Sequence, residues 1–208
     1  MELRITTLIA SGDFREALRL LCEAYGAAVG RYCTGLVGSR AEAEELLQEA
    51  LIEAYAAMGR FRGESTARAW LFGIARRLCI RHLRRRDRRL LLFRRFARQA
   101  PEEATEDHER SDARLALERA LVGLKPPLRD AVLLQYQAGL EGPEIAAVLG
   151  ITAEAARKRV SLGVQALRVA LRPNLMVTDT NTATDTSEAA HGHPAPVPAT
   201  HSARILGS

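Results

Sequence analysis

The chain has 208 residues, of which 30 are Lys or Arg and 25 are Asp or Glu, and 47% of its residues are hydrophobic. This length allows one large domain or two small ones, and the hydrophobic fraction indicates that most of the chain folds. Only 5% of the residues are aromatic, and Ala, Leu, Arg and Glu outnumber Val, Ile and Thr, so the composition disfavours a β-sandwich or barrel and favours helices.

Apolar residues at steps of three and four predict two helices in the first sixty residues. Asp13 is the candidate N-cap of the first helix, whose apolar stripe includes Cys22 and Cys33 and assigns both to the core. A break at Gly38 and Ser39 separates this helix from the second, whose stripe runs from Leu46 to Met58 and includes Tyr55.

A loop over residues 59–65 precedes a third predicted helix. Ser65 is its expected N-cap, and Trp70 lies on its apolar face. The Arg-rich run over residues 81–89 falls at the end of this helix and just beyond it. The short apolar stretch over residues 90–96 is expected to pack back on the first module.

A second helical module follows a segment whose composition is typical of a linker. Its helices are predicted over residues 128–136, 143–149 and 152–171, and Pro173 is expected to end the last of them. The tail beyond it has no periodicity and is predicted to be disordered. The predicted architecture is all-α, with two small helical domains over residues 10–98 and 113–172, an acidic linker over residues 99–112 and a disordered tail over residues 173–208.

Charge is distributed unevenly along the chain. Residues 60–100 hold fourteen Arg and two acids, residues 101–112 hold six acids and one Arg, and residues 113–172 hold nine Lys or Arg and five acids. Two basic zones around an acidic segment favour two modules that share a polyanionic partner. The alternative for residues 60–100, a solvated helix face, is disfavoured because uncompensated charges repel one another unless a partner needs them.

Residues 142–160 (GPEIAAVLGITAEAARKRV) have the spacing of a helix-turn-helix. Gly150 supplies the left-handed turn residue, Thr152 caps the second helix, and Ala156 and Val160 face the core. Early residues of such a helix enter the major groove while its cations neutralise phosphates. The alternative is an ordinary helical hairpin with a Gly turn. The side chains expected to face solvent are Glu154, Ala155, Arg157, Lys158 and Arg159.

The sequence lacks the patterns of common active sites and of membrane or secreted proteins. It has no P-loop, dinucleotide-binding, zinc-protease or nucleophile-elbow motif, and His191 and His193 have no nearby ligand partner. No apolar run approaches the roughly 20 residues that span a bilayer, and three Cys without CxxC spacing argue against disulfides and zinc. We expect a reduced, cytoplasmic protein without membrane insertion, catalytic residues, metal or cofactor.

The two modules together resemble the extracytoplasmic-function (ECF) sigma factors, the small members of the sigma-70 family of bacterial transcription initiation factors. The first module resembles sigma region 2 in AEELLQEAL (residues 43–51), RFRGES (residues 60–65) and AWLFGIAR (residues 69–76). The second resembles region 4 in LKPPLRDAV (residues 124–132), GLEGPEIAAVLGI (residues 139–151) and ARKRV (residues 156–160). The match covers about residues 10–172 in the family's order.

This resemblance implies a factor that performs no chemistry, binds core RNA polymerase, directs it to specific promoters and promotes DNA melting. It implies docking on the clamp helices of the β′ subunit through Glu45, Leu46, Gln48 and Glu49, for which the alternative is a solvated acidic face. It also implies that region 4 docks on the β flap, that the acidic linker lies in the polymerase channel, and that an anti-sigma factor is a further partner.

The resemblance also assigns two DNA-binding sets. The RFRGES loop and the helix after it would hold the non-template strand of the −10 element, with one base flipped out onto an aromatic surface. Trp70 and Phe72 are further stacking candidates, although Trp70 lies on the apolar stripe. The −10 set is Phe61, Arg62, Arg76, Arg77, Arg81, Arg84 and Arg85. The −35 set, which would read duplex DNA, is Thr152, Glu154, Ala155, Arg157, Lys158 and Arg159.

The chain departs from the family pattern at several positions. Arg77 stands where the family usually has Asn, a position that bears on the −10 base preference, and Glu45 replaces the common Asp. Residues 161–164 (SLGV) replace a basic stretch, which removes phosphate contacts from the −35 set. The tail over residues 173–208 lies outside the family pattern.

Other function classes remain open on the residues alone. A stand-alone regulator would bind DNA through the helix-turn-helix and use residues 1–100 for dimerisation or sensing. An RNA-binding or polymerase-inhibiting protein would use the Arg run for single strands and leave the helix-turn-helix unused. Tight duplex binding without polymerase would favour the stand-alone regulator.

Overall fold

The computed structural model describes residues 1–96 and 112–180, with side-chain environments for residues 1–91 and 112–172. Within these ranges every regular element is helical, which confirms the all-α prediction. None of the described helices is long and apolar enough to cross a membrane. The elements are α1 (Glu2–Ser11), α2 (Phe14–Val37), α3 (Arg40–Ala57), α4 (Ala67–Phe96), α5 (Asp112–Gly123), α6 (Pro126–Tyr136), α7 (Gly142–Leu149) and α8 (Ala153–Thr180), with a 3₁₀ turn over Met58–Arg60.

Helix α1 was not among the predicted elements. It buries Ile5 and Ile9 and ends at Gly12, whose φ of 83° is the left-handed conformation that glycine adopts without steric cost. The side chain of Asp13 then accepts a hydrogen bond from the Glu16 amide at 3.3 Å, which confirms it as the N-cap of α2. Helix α1 packs on α2 and α4, so it is part of the first module's core.

The cysteines of α2 differ in burial. Cys33 is fully buried, as predicted, but Cys22 is exposed, so its assignment to the core is wrong. Both residues lie on the same face of α2 as Val29. That face is covered at Val29 and Cys33 but is open two turns earlier, at Cys22. Helix periodicity identifies the face of a helix but not how far the neighbouring helices extend along it, so the sequence did not distinguish the two cysteines.

Helices α3 and α4 begin at capping side chains. The Ser39 hydroxyl accepts from the Glu42 amide at 3.3 Å at the start of α3. At the start of α4 the cap is Thr66, whose hydroxyl accepts from the Ala69 amide at 3.0 Å. The predicted cap, Ser65, is wrong by one residue, because its hydroxyl donates to the Thr66 carbonyl instead.

Helix α4 is thirty residues long and contains the whole Arg-rich run. Residues 81–89 therefore lie inside the helix, and none of the run falls beyond its end. Leu90 and Leu91 are 49% and 62% exposed, so the prediction that this stretch packs back on the first module is wrong for these two side chains. No residue in the described part of the chain covers them.

The helix-turn-helix has the predicted local structure. Gly150 adopts a left-handed φ of 64°, and the Thr152 hydroxyl accepts from the Ala155 amide at 3.2 Å. Ala156 and Val160 are buried, as predicted. Helix α8 continues to Thr180.

The prediction that Pro173 ends this last helix is wrong, because a proline weakens a helix without making helical backbone impossible. The predicted disorder of the tail is also wrong for residues 173–180, which are helical. Residues 181–208 of the predicted disordered tail, and residues 97–111 around the predicted linker, lie outside the described residues.

The two helical modules lie against each other. Helix α2 packs on α6, and α4 packs on α7, so Met1–Arg172 forms one compact unit. Two helices also approach closely within the second module. A Cβ on Gly163 of α8 would lie 2.5 Å from Cγ2 of Val132 on α6. The predicted domain boundaries stay predictions.

Candidate functional site

The polar residues assigned to polymerase binding share one face of α3. Glu45, Gln48 and Glu49 are exposed, whereas Leu46 is only 4% exposed and packs into the core. The surface available to a partner is therefore the polar part of the predicted set. The assignment of these residues to polymerase binding stays a prediction.

Two apolar residues extend this α3 face and were missed. Ile52 is 71% exposed, and Tyr55, which the sequence placed on the core stripe, is 48% exposed. They add apolar area beside the polar side chains, which a protein partner can bury. The signal that could have identified Ile52 is its spacing of four residues after Gln48, which puts both on one side of the helix.

The aromatic residues near the RFRGES loop differ in availability. The half-buried rings of Phe61 and Trp70 lie 5.2 Å apart between centroids and form a tilted pair at the surface. Phe72 is fully buried and meets the ring of Tyr32 edge-on at 5.6 Å. Part of the Phe61–Trp70 pair is thus accessible to a ligand, and Phe72 is not.

Acidic residues of α3 neutralise part of the Arg-rich helix. Each of three arginines on α4 faces a glutamate on α3, so the expectation that the charge of residues 60–100 is uncompensated is wrong in part. The three glutamates, Glu42, Glu49 and Glu53, follow one another at spacings of seven and four residues, which puts them on the side of α3 that faces α4. The pairs are Arg77–Glu53 at 2.5 Å, Arg81–Glu49, and Arg86–Glu42 at 3.7 Å.

Other members of the predicted −10 set remain available. Arg84 and Arg85 are exposed, and neither has an acidic partner within residues 1–96 and 112–180. Arg62 is 83% exposed and lies 3.7 Å from Glu64 of the same loop. Within the predicted −10 set, the cations that can meet an anionic ligand without losing a close acidic partner among the described residues are therefore Arg84 and Arg85.

Arg76 differs from the rest of the −10 set because its partner comes from the second module. Its Nε donates to Oδ2 of Asp130 at 2.6 Å, and its side chain is 26% exposed. The Tyr32 hydroxyl donates to Oδ1 of the same carboxylate at 2.6 Å. Burial, reinforced by the charge of Asp130, raises the pKa of Tyr32 well above its usual range.

The −35 set lies on the first turns of α8. Glu154, Arg157 and Lys158 are exposed, and Ala155 and Arg159 are half-buried. Thr152 is exposed, and its hydroxyl is engaged as the helix cap. In the described part of the chain the three cations have no ion pair, so this positive surface is free.

One departure from the family pattern has a structural reason. Gly163 stands within the SLGV stretch, is buried, and lies where a side chain would strike Val132 and the Leu128 carbonyl oxygen of α6. A long basic residue does not fit at this position, because α8 and α6 approach too closely there.

The buried thiols form a structural pair. A hydrogen bond with Cys33, together with burial, raises the pKa of the Cys79 thiol, which keeps it in the unreactive protonated form. Among the described residues no group of three or more His, Cys, Asp or Glu is placed to hold a metal ion. His191 and His193 lie outside those residues.

Comparison with known families identifies both modules. Residues 21–89 match the family model described as sigma-70 region 2, and residues 114–167 match sigma-70 region 4. The two matches follow the order in which the helix bundle and the helix-turn-helix occur along the chain.

Curated relatives and solved structures agree with these matches. The chain is 31% identical over 158 residues to the ECF RNA polymerase sigma factor SigL of Mycobacterium tuberculosis, covering 74% of this chain and 89% of the relative. It is 32% identical over 145 residues to the RNA polymerase sigma-H factor of Pseudomonas aeruginosa, covering 64% and 75%.

Two solved structures share the fold. The sigma factor RpoE of Bartonella quintana, solved with the anti-sigma factor NepR, has a TM-score of 0.60 and 26% identity, covering 77% of this chain and 97% of that one. CnrH, solved with the cytosolic domain of CnrY, has a TM-score of 0.61 and 24% identity, covering 83% and 97%. The chain therefore belongs to the ECF group of the sigma-70 family, which directs RNA polymerase to promoters at the initiation of transcription.

Proposed function

We propose that this protein reads promoters in two separate steps, as duplex at the −35 element and as single strand at the −10 element. The observation that carries the proposal is the set of free cations at the start of α8, a capped helix preceded by a turn. In such a motif the first turns enter the major groove and cations bind the flanking phosphates. The proposed −35 contacts are Thr152, Glu154, Ala155, Arg157, Lys158 and Arg159.

At the −10 element the non-template strand is bound across the RFRGES loop and α4. A flipped base stacks on the Phe61–Trp70 pair, Arg84 and Arg85 bind phosphates first, and Arg62 adds a further contact from the loop. Unstacking one base costs a few kcal/mol, which stacking and phosphate contacts offset. Capture of the strand in this form favours the melted promoter. Arg76, Arg77 and Arg81 join these contacts by giving up their carboxylate partners.

Core polymerase binds the exposed face of α3. Glu45, Gln48 and Glu49 provide polar contacts to the β′ clamp helices, and Ile52 and Tyr55 provide apolar area beside them. Region 4 docks on the β flap. Leu46 supports this surface from below by fixing α3 in the core.

An anti-sigma factor is a further partner. The Bartonella relative was solved bound to one, and this chain has the same two-module organisation. A pull-down from the native host with tagged protein, repeated with the E45A/Q48A and R157A/K158A variants, would identify the partner and the face that it covers.

The test is run-off transcription with purified bacterial core polymerase on supercoiled templates that carry random −35 and −10 boxes. Protein-dependent transcripts that share a two-part motif support the proposal. The variant E45A/Q48A is expected to lose polymerase binding, and R157A/K158A is expected to keep it while losing selection of the −35 box. Tight binding to duplex DNA without polymerase, together with no transcripts, would favour a stand-alone regulator.

A further inference from the structure

The contact between the two modules has a buried charge at its centre. Asp130 on α6 is 5% exposed, and no other charged residue in the described part of the chain is as buried. Both hydrogen bonds to its carboxylate come from the first module, from Tyr32 and Arg76. A carboxylate buried without partners is costly, so Asp130 is stable in this position only while the modules are together.

The backbones meet closely beside this carboxylate. A Cβ on Gly35 of α2 would lie 2.7 Å from Oε1 of Gln137 and 2.8 Å from Cδ2 of Leu133, both on the side of the second module. Only glycine permits this approach without movement of its neighbours. The two surfaces therefore fit each other in shape as well as in charge.

A second set of contacts joins the start of α4 to the helix-turn-helix. The Thr66 hydroxyl donates to Oε1 of Glu144 at 2.8 Å, and Nη2 of Arg68 donates to the Ala138 carbonyl oxygen at 2.7 Å. Thr66 caps α4 directly after the RFRGES loop, so α7 is held against the part of the first module that is proposed to capture single-stranded DNA.

This arrangement cannot bind a whole promoter. The −35 and −10 elements are about 25 base pairs apart, which is on the order of 85 Å along B-DNA at roughly 3.4 Å per base pair. In the structure the start of α7 lies within hydrogen-bonding distance of the start of α4. Binding both elements at once therefore requires that these contacts break.

Asp130 binds the guanidinium of Arg76, which is also a proposed contact of promoter DNA. Asp130 takes the Nε–H of Arg76 and places a negative charge beside the other N–H groups of the guanidinium, so a phosphate at Arg76 competes with this carboxylate. We propose that the α6–α7 face of region 4 binds the Tyr32, Gly35 and Arg76 face of region 2 as a competitor of promoter DNA. Asp130 takes the place of a backbone phosphate at Arg76.

The free protein is accordingly closed, and release of Asp130 is a step in loading onto the promoter. The competition rests on the proposed role of Arg76 in −10 binding, whereas closure itself does not. The test therefore measures closure and DNA binding separately, on the full chain.

Closure is measured by energy transfer between a dye on the exposed Cys22 and a dye on a cysteine introduced by V169C, both remote from Asp130 in sequence. Asp130→Asn removes the charge but keeps the shape, and Gly35→Leu separates the surfaces without touching Arg76. Gly73→Leu is the matched control, because a Cβ there meets nothing within 4 Å. We expect lower transfer for D130N and G35L and no change for G73L.

DNA binding is measured with a single-stranded oligonucleotide that carries the −10 box selected in the transcription experiment. D130N and G35L are expected to bind on the order of tenfold more tightly than the parent, the size of one charge-assisted hydrogen bond. Arg76→Ala opens the protein but removes the contact, so it is expected to show low transfer and no gain. Circular dichroism excludes unfolding, and Tyr32→Phe replaces any variant that does not fold.

The outcomes separate the two ideas. Unchanged transfer in both D130N and G35L would overturn the closure. Lower transfer without tighter binding, or tighter binding of R76A, would overturn the competition at Arg76. Opening by D130N in a protein that yields no promoter-dependent transcripts would leave closure intact and contradict the proposed function.

Discussion

The two basic surfaces of the molecule are built in opposite ways. On α4, Arg76, Arg77 and Arg81 each have a carboxylate partner, contributed by α6 or α3. On α8, Arg157 and Lys158 are exposed and unpaired within the described residues. A DNA phosphate adds a new interaction at α8 but replaces an existing one on much of α4. The α8 surface is therefore suited to initial binding, and the α4 surface to binding that follows a change in the protein.

This comparison depends first on α3 being fixed in the core by Leu46. Leu46→Ala is expected to lower the free energy of unfolding by about 2–5 kcal/mol, because it leaves a cavity at a fully packed site. Glu45→Ala, on the exposed face of the same helix, is the control and is expected to change it by less than about 0.5 kcal/mol. Urea denaturation followed by circular dichroism measures both, and equal losses would mean that Leu46 does not face the core.

The free cations of α8 are expected to produce the largest effect on duplex binding. R157A/K158A should weaken binding to −35 duplex by roughly tenfold or more and reduce the salt dependence, since each lost phosphate contact lowers the log–log slope by about 0.9. Fluorescence anisotropy between low and moderate salt measures both quantities. An unchanged slope would show that these side chains do not contact phosphates.

Two double variants of α4 should differ in their affinity for DNA, one that removes two unpaired arginines and one that removes two paired arginines. R84A/R85A is expected to weaken binding of single-stranded −10 DNA several-fold, and R77A/R81A less, because the paired residues must first lose Glu53 and Glu49. The same anisotropy measurement compares the two doubles. A greater loss for R77A/R81A would contradict the division drawn between the two kinds of arginine.

The smallest effect concerns the tyrosine beside Arg76. Burial raises the pKa of Tyr32, and burial with a hydrogen bond to Glu2 raises the pKa of Tyr25 to about 12. Both phenols hold their protons more tightly in the folded state, so their contribution to stability is complete below their unfolded pKa of about 10. It is lost as the pH rises through the folded-state values.

Thermal melts between pH 7 and pH 11 should therefore show a decline that begins near pH 8.5, where the Cys79 thiol ionises in the unfolded chain, and that steepens near pH 10, where the two phenols do. Tyr32→Phe is expected to lower the melting temperature at pH 8 and to reduce the decline above pH 10. The buried Cys79 thiol contributes with the same sign, so Cys79→Ala is the control that separates its part. A profile that is unaffected by both substitutions would contradict the burial of Tyr32.

Local signals in the sequence were sufficient for the helix-turn-helix. Gly150 and Thr152 act within one turn of the chain, through a left-handed φ and a side-chain cap, and both were predicted correctly. The apolar period likewise found α2 and α3. These features depend on residues that are close together in the sequence, so they can be predicted from the sequence alone.

Features that depend on distant neighbours were not predicted. The pairing of Asp130 with Tyr32 and Arg76 joins residues that are 98 and 54 positions apart, and no local pattern indicates it. Tyr55 and Cys22 fit a buried stripe by period but lie where that stripe is uncovered. The acids of α3 could have been matched to the arginines of α4 only if the packing of the two helices had been known.

The seam between α3 and α4 connects two surfaces that are assigned to different ligands. Glu49 belongs to the proposed polymerase face and Arg81 to the proposed −10 face, and the two side chains form one ion pair. A ligand that takes the place of Arg81 at Glu49 leaves that guanidinium free for a phosphate, and in that case the affinities of the two surfaces are thermodynamically coupled. Such coupling is reciprocal: if polymerase increases the affinity of α4 for the promoter strand, the strand increases the affinity of α3 for polymerase by the same factor.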